Sequence, residues 1–359
     1  MVWPADLTRR ATFGRRHLAS GLPDAISQGS SSSLQQREHP APPGLLAPSR
    51  SGERLGDRVF RYGVLLLALS VPILVVALLI SMLLQAAPAL GRFGLAFLWS
   101  SSWNPVTEEF GVLPAIYGTV VSSVIALLIA VPVGIAGAIF LVEFSPPILS
   151  RALSVLIELL AAIPSVVIGL WGLLVLVPAL EPIQLALGSA VGFIPLFSGP
   201  PLGIGMLAAG LVLAVMVLPI ITAVVRDILQ AVPRSQHEGM LALGATHWET
   251  ISRVVLPYGR NGIVGATILG LGRALGETLA VTMVIGNTYQ ISPSLFAPST
   301  TLASLVASQF READSALYLS ALVGAGLVLF VIAVLVNVIA RLLVWQVNSR
   351  GLSPSTGGA

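Results

Sequence analysis

The sequence predicts an all-α, polytopic membrane protein with six transmembrane helices, and three observations predict it. Hydrophobic residues fill 55% of the 359 positions and charged residues only 10%, with a mean hydropathy of +0.91. A domain dissolved in water carries about 25% charged residues. The apolar excess is gathered into six stretches, each able to cross a hydrocarbon core of about 30 Å. The arginines then set a direction. With a cytoplasmic N-terminus, 16 of the 19 lie on the cytoplasmic side, Arg92 and Arg311 lie opposite, and Arg273 lies within a span. The positive-inside rule favours that arrangement, so both termini are expected in the cytoplasm.

Residues 1–58 differ in composition from the rest. They hold Ser30 to Ser33, the run Pro40-Ala41-Pro42-Pro43-Gly44, and nine arginines when Arg61 is counted with them. Too little apolar surface is available to offset the entropy of ordering, which predicts a disordered basic cytoplasmic tail. Contact with anionic lipid and an unselected extension are both open readings of it. The spans are expected at 62–84, 115–141, 152–179, 203–225, 262–286 and 318–345. Pro72, Pro132, Pro164, Gly169 and Gly172 fall inside them, which spans tolerate when neighbouring helices re-satisfy the freed backbone groups. The stretch 185–201, broken by Gly188, Gly192, Pro195, Gly199, Pro200 and Pro201, reads as a loop or short re-entrant piece. The expected layout is therefore a tail at 1–58, a first helix with an extracytoplasmic loop at 59–112, a helical core at 113–341, and a cytoplasmic C-terminal tail at 342–359.

Composition also removes function classes. All 19 basic residues are arginine; without lysine there is no Walker A nucleotide site and no Schiff-base chemistry. No cysteine occurs, which excludes thiolate catalysis, disulfides and Cys-ligated metals. The four histidines, His17, His39, His237 and His247, fall outside the apolar stretches. His237 and His247 are ten apart and lack a third ligand at metal-site spacing, so they read as solvated surface residues. Gly270, Gly272 and Gly276 do not fit dinucleotide-binding spacing. No cofactor, no metal and no nucleic-acid partner is expected.

Two features stand out from the apolar background. The first is the polar segment 226–261 between spans four and five. Glu238 to Leu243 can form a short helix, Gly244 a turn, and Thr246 the cap of a second helix beginning near His247. A rigid projection for a partner and an amphipathic connector lying on the membrane are equally open readings. The second feature is the pair Arg273 and Glu277 in span five. Charges at a bilayer centre cost about 2.5–3.5 kcal/mol each on insertion scales and face a bundle interior or an aqueous cavity. Four residues apart, the two share one helix face and can pair. Gly272 and Gly276, also four apart, leave room for another backbone. A salt bridge that locks helices together is one reading. An anion site is the other, because a guanidinium offers planar paired donors to phosphate oxygens. Glu158, in span three, is a third buried charge and is left outside the site as structural.

The same residues carry a family resemblance. Glu238-Gly239-Met240, then Gly244, then Val254-Val255-Leu256-Pro257 is similar to the Glu-Ala-Ala loop of bacterial ABC importer permeases, with Gly239 and Met240 at the alanine positions. Gly270 to Thr278 followed by Val284-Ile285-Gly286-Asn287 resembles the fifth span of PstC-type permeases of phosphate importers. Glu158 to Ser165, Gly169-Leu170-Trp171-Gly172, and Phe197 to Gly205 add to the likeness, which covers roughly residues 60–345.

This resemblance implies a MetI-like type I permease core over 113–341 and passage of inorganic phosphate into the cytoplasm. It implies Arg273 and Glu277 in the substrate pathway, and Glu238, Gly244, Leu256 and Pro257 in an ATPase-coupling loop. The implied partners are a PstA-type second permease, two PstB-type ATPase subunits and a PstS-type phosphate-binding protein, all in or at a bacterial inner membrane and its lipid. The competing reading is a proton-coupled anion symporter that works without an ATPase.

Overall fold

The computed structural model describes residues 55–349, with side chains for 56–342. The expected tail over 1–58 lies almost wholly outside the described residues. The chain divides at Val64. Of the first unit only the opening turns of one helix are described, and the helical bundle belongs to the unit beginning at Leu65. Among the described residues six helices are long and apolar enough to cross a membrane, as the hydropathy pattern predicts.

In chain order, helix α1 (Leu55–Phe93) leads through a short helix α2 (Ala96–Trp99) to a two-stranded antiparallel hairpin. Its strands β1 (Trp103–Asn104) and β2 (Glu109–Phe110) pair Trp103 with Phe110. Next come α3 (Leu113–Ile139), ending in a wide π turn at Phe140–Phe144, then α4 (Pro147–Ala161), α5 (Ser165–Trp171) and α6 (Val177–Val191). Helix α7 (Met206–Gln230) is the most deeply buried span. It is followed by α8 (Arg234–Ala242), α9 (His247–Thr250), a π turn at Ile251–Val255, and α10 (Leu256–Gly276). The chain closes with α11 (Leu279–Val284), α12 (Leu302–Gln309) and α13 (Ala316–Ser349).

Two apolar clusters hold the helices together. The larger joins Ala126, Ala130 and Ala138 of α3 to Val212, Val217 and Ile221 of α7, and on to Ala266 of α10 and Val281 of α11. The smaller lies at the hairpin end, where Phe97, Phe110, Leu302, Tyr318 and Leu322 meet. Small residues let the backbones close on one another, as apolar surface alone gives no drive to associate in lipid. A Cβ on Gly270 would stand 2.7 Å from Val217 Cγ1, and one on Gly118 only 1.9 Å from the Thr300 carbonyl oxygen. That oxygen is backbone and cannot turn aside. Gly118→Ala is expected to destabilise the fold by about 1–3 kcal/mol or more, seen as a lower melting temperature in detergent. Gly188→Ala, where nothing lies within 4 Å, should leave the melting temperature unchanged or slightly raised.

The structure differs from the expected spans in three places, each for a local reason. The expected span 152–179 is two elements, because α4 stops at Ala161 and the third span runs Ser165–Val191. Proline disfavours helical geometry in the residue before it, so Ile163-Pro164 separates two apolar helices that a hydropathy window joins. The second difference comes from the same shift. Residues 185–191 complete that span as the end of α6, and only the Pro- and Gly-rich part beyond it is irregular. Third, the helix through Arg273 begins at His247 and ends at Gly276, so Glu277 lies past its last turn. Glu158 also changes place. It sits on α4 rather than in a span, 59% exposed, with Arg226 Nη2 3.1 Å from its Oε1. It is therefore not the buried charge the sequence predicts, and its partner is Arg226.

Candidate functional site

The polar segment after α7 forms as its residues dictate. Helix α8 ends in a Schellman arrangement: Gly244 N–H donates to Leu241 O at 3.0 Å and Ala245 N–H to Met240 O at 3.1 Å. Gly244 has φ +82°, a conformation that costs an L-residue roughly 1–2 kcal/mol. Thr246 then caps α9 through a reciprocal box, accepting from Glu249 N–H at 3.2 Å while its own N–H donates to Glu249 Oε2 at 2.9 Å. The expected helix, turn and cap are all present. The second helix is longer than expected, because α9 runs through the wide turn at Ile251–Val255 into α10. That turn precedes Leu256 and Pro257. Proline has no N–H for the ladder and its ring crowds the carbonyl four residues back, so the helix loosens just before it. Leu256 packs against the larger apolar cluster, fixing the start of α10.

The projection carries an apolar tip that residue types alone did not reveal. Leu243 is 85% exposed and Trp248 64% exposed, on either side of the Gly244 turn, with Glu238 exposed on α8. A tryptophan in a polar segment was the available signal. Two large apolar side chains are thus exposed on either side of a capped turn.

Arg273 and Glu277 are brought together, though not on one helix face. Glu277 leaves the helix with ψ 129°, and its Oε1 accepts a long hydrogen bond from Ala280 N–H at 3.4 Å, at the start of α11. Its side chain is 7% exposed; that of Arg273 is 45% exposed, and Nη2 stands 3.9 Å from Glu277 Oε2. At that distance the pair attracts but shares no hydrogen bond. The guanidinium keeps its donors for another acceptor. It lines a cavity of about 550 Å³ with Ile220, Gly265, Gly272, Asn337 and Arg341, so a second arginine, in the C-terminal half of α13, joins the first. Gly272 and Gly276 have nothing within 4 Å of an added Cβ. The backbone they were expected to admit does not come from the described residues of this chain.

Residues 130–349 match the family described as the binding-protein-dependent transport system inner membrane component. The chain is 48% identical over 301 residues to the phosphate transport system permease protein PstC of Mesorhizobium japonicum, covering 82% of this chain and 92% of that one. It is 45% identical to the PstC protein of Pasteurella multocida, covering 84% and 96%. The chain belongs to the PstC-type binding-protein-dependent transport permeases. A solved bacterial alginate ABC transporter in complex with its periplasmic protein contains a chain of the same fold, at TM-score 0.55 and 19% identity, covering 82% of this chain and 98% of that one. This PstC-type permease is thus a transport subunit and not a catalytic enzyme. It is a multi-pass protein of the inner membrane, and its family works with an ATPase and a binding protein.

Proposed function

We propose that this chain is the permease subunit through which inorganic phosphate enters the cytoplasm, powered by ATP hydrolysed on another chain. One observation in the structure supports the substrate class most directly. Arg273 is a half-exposed guanidinium in a cavity, and its only carboxylate partner among the described residues stands beyond hydrogen-bond distance. Phosphate monoesters carry about −1.5 to −2 charge near neutral pH, and inorganic phosphate is similar, so its route needs such an element. Glu277 attracts the guanidinium across 3.9 Å and would accept a hydrogen bond from a protonated phosphate oxygen. The phosphate permeases to which the chain is similar along most of their length support the same substrate.

The remaining assignments rest on chemistry and family. The absence of lysine leaves this chain without a Walker A site, in keeping with hydrolysis on two PstB-type subunits, the partners that the family likeness suggests. The 234–249 projection is their docking site, with Glu238, Gly244, Leu256 and Pro257 shaping it. A PstA-type permease covers the open face at Gly272 and Gly276, and a PstS-type protein delivers phosphate from outside. The arginine asymmetry supports cytoplasmic termini and puts the projection on the ATPase side.

Cells stripped of their own phosphate importers provide the test. Given this chain with the other three subunit types, they should take up labelled phosphate, unaffected by excess sulfate. Uptake of another solute in place of phosphate contradicts the assignment. Deleting residues 1–58 should leave both membrane insertion and uptake unchanged. Loss of uptake with normal insertion would show a function in the tail.

A further inference from the structure

The two histidines expected to be solvated are not free. His237 on α8 and His247 at the start of α9 lie ten residues apart, one on each side of the Gly244 turn. Their Nε2 atoms converge on a single carboxylate: His237 is 3.1 Å from Glu143 Oε1 and His247 is 3.5 Å from Glu143 Oε2. Glu143 lies 94 residues from His237 in sequence, in the wide turn that ends α3, and its side chain is only 6% exposed.

We propose that Glu143 is a positioning residue for energy coupling: its carboxylate ties both arms of the 234–249 projection to the end of α3, so that displacement of the projection moves that span. This rests on the projection being the ATPase-docking site. A carboxylate with so little contact with water is costly unless donors surround it, and here each oxygen faces one imidazole nitrogen. The hydrogen bond from His237 to an ionised carboxylate requires the proton on its Nε2. His237 Nδ1 is buried with no hydrogen-bond partner, so that ring is held from its Nε2 side alone. Phe144 packs edge-on against the His247 ring at 5.3 Å, while the rest of that ring is half-exposed. Among the described residues no group of three His, Asp or Glu is arranged to hold a metal ion, and the cluster is read as a clamp of one hydrogen bond, to His237, and one longer ion-pair contact, to His247.

What the clamp would move is also defined. Helix α3 packs along α7 more extensively than against any other element. An added Cβ on Gly134 would stand 3.0 Å from Ile221 Cγ2 on α7, and one on Gly270 of α10 would stand 2.9 Å from Ile221 Cδ1. Backbones this close transmit displacement instead of absorbing it. Arg273 lies one helical turn beyond Gly270. A push on the projection therefore reaches the helix that presents Arg273 by two routes, directly because that helix begins at His247, and through Glu143, α3 and α7, which would carry the neighbouring spans with it.

The experiment uses the whole transporter in proteoliposomes and reads three quantities from one preparation: ATPase subunits retained, ATP hydrolysed and phosphate imported. Glu143→Ala should retain the ATPase and keep hydrolysis within about twofold of the parent while import falls roughly tenfold or more, the scale of a lost charge-assisted hydrogen bond. The pair His237→Ala/His247→Ala should behave alike, and adding Glu143→Ala to it should cost nothing further. The pair His237→Gln/His247→Gln, whose amide nitrogens can replace the imidazole Nε2 donors, should recover most of the import. Import by Glu143→Ala within about twofold of the parent overturns the proposal. So does equal import by the Gln and Ala pairs, a comparison that decides the matter even if Glu143→Ala fails to reach the membrane. Failure of the docking reading is distinguishable, because it appears in retention of the ATPase by Gly244 variants and not in coupling by Glu143 variants.

Discussion

Arg273→Gln is expected to abolish phosphate import while leaving the chain assembled with its partners. The amide keeps much of the side chain's bulk and removes its charge, so the cavity beside α10 loses the donor fork that meets phosphate. Truncating one member of a desolvated, charge-assisted contact costs about 2–5 kcal/mol, or roughly 30-fold to several thousand-fold in the step that uses it. Arg273→Lys should restore little, because an ammonium is a point charge without paired planar donors. Arg341 lines the same cavity but does not compensate, since the carboxylate of Glu277 pairs with Arg273 and not with it. The purely structural reading of the pair predicts otherwise. Exchanging the residues, Arg273→Glu with Glu277→Arg, would then restore folding and import together. Because Glu277 stands outside the helix and accepts from Ala280 N–H, the exchange would put a guanidinium where a backbone donor points. Assembly without import is the expected result, read by co-purification and labelled phosphate in the same membranes.

Gly244→Val should produce the second large effect. Nothing lies within 4 Å of an added Cβ there, so the substitution tests backbone geometry and not space. With φ +82° a β-branched residue is strained by about 1–2 kcal/mol or more, and relief comes by undoing the Schellman turn that sets α8 against α9. The apolar tip formed by Leu243 and Trp248 would then lose its shape. ATPase subunits should be lost on purification and import should fall about tenfold or more, as expected for a docking surface with misplaced anchors. Glu238→Ala, on the exposed face of α8, should weaken the same association without disturbing the turn. If ATPase retention and import both survive the two substitutions, the docking assignment is wrong.

Local features were the most legible in the sequence. The α8 helix, the left-handed Gly244 and the Thr246 cap depend on neighbours within a few residues, and each was readable from residue types. Membrane crossing was legible because it depends on summed hydropathy. The break at Ile163-Pro164 escaped that sum because both flanks are apolar, and only the restriction before proline marks it. Glu277 was expected on the same helix face as Arg273 because spacing alone cannot show that a helix ends at Gly276. Glu158 was expected in a span for the same reason that α4 was. The meeting of His237 and His247 on Glu143 joins three separate helical elements, and no local pattern reports it. Leu243 and Trp248 were visible as residues, but their exposure depends on how α8 and α9 fold over the end of α3.

ATP-driven phosphate import is tested most directly by labelled-phosphate uptake into proteoliposomes containing this chain and its second permease, with the ATPase subunits and the binding protein each present or omitted. Orthovanadate would block hydrolysis, and an uncoupler would collapse any proton gradient. Uptake is expected only when the ATPase, the binding protein and ATP are all present, abolished by orthovanadate and indifferent to the uncoupler. Uptake by this chain without the ATPase, driven by an imposed proton gradient and abolished by the uncoupler, would contradict an ATP-driven permease.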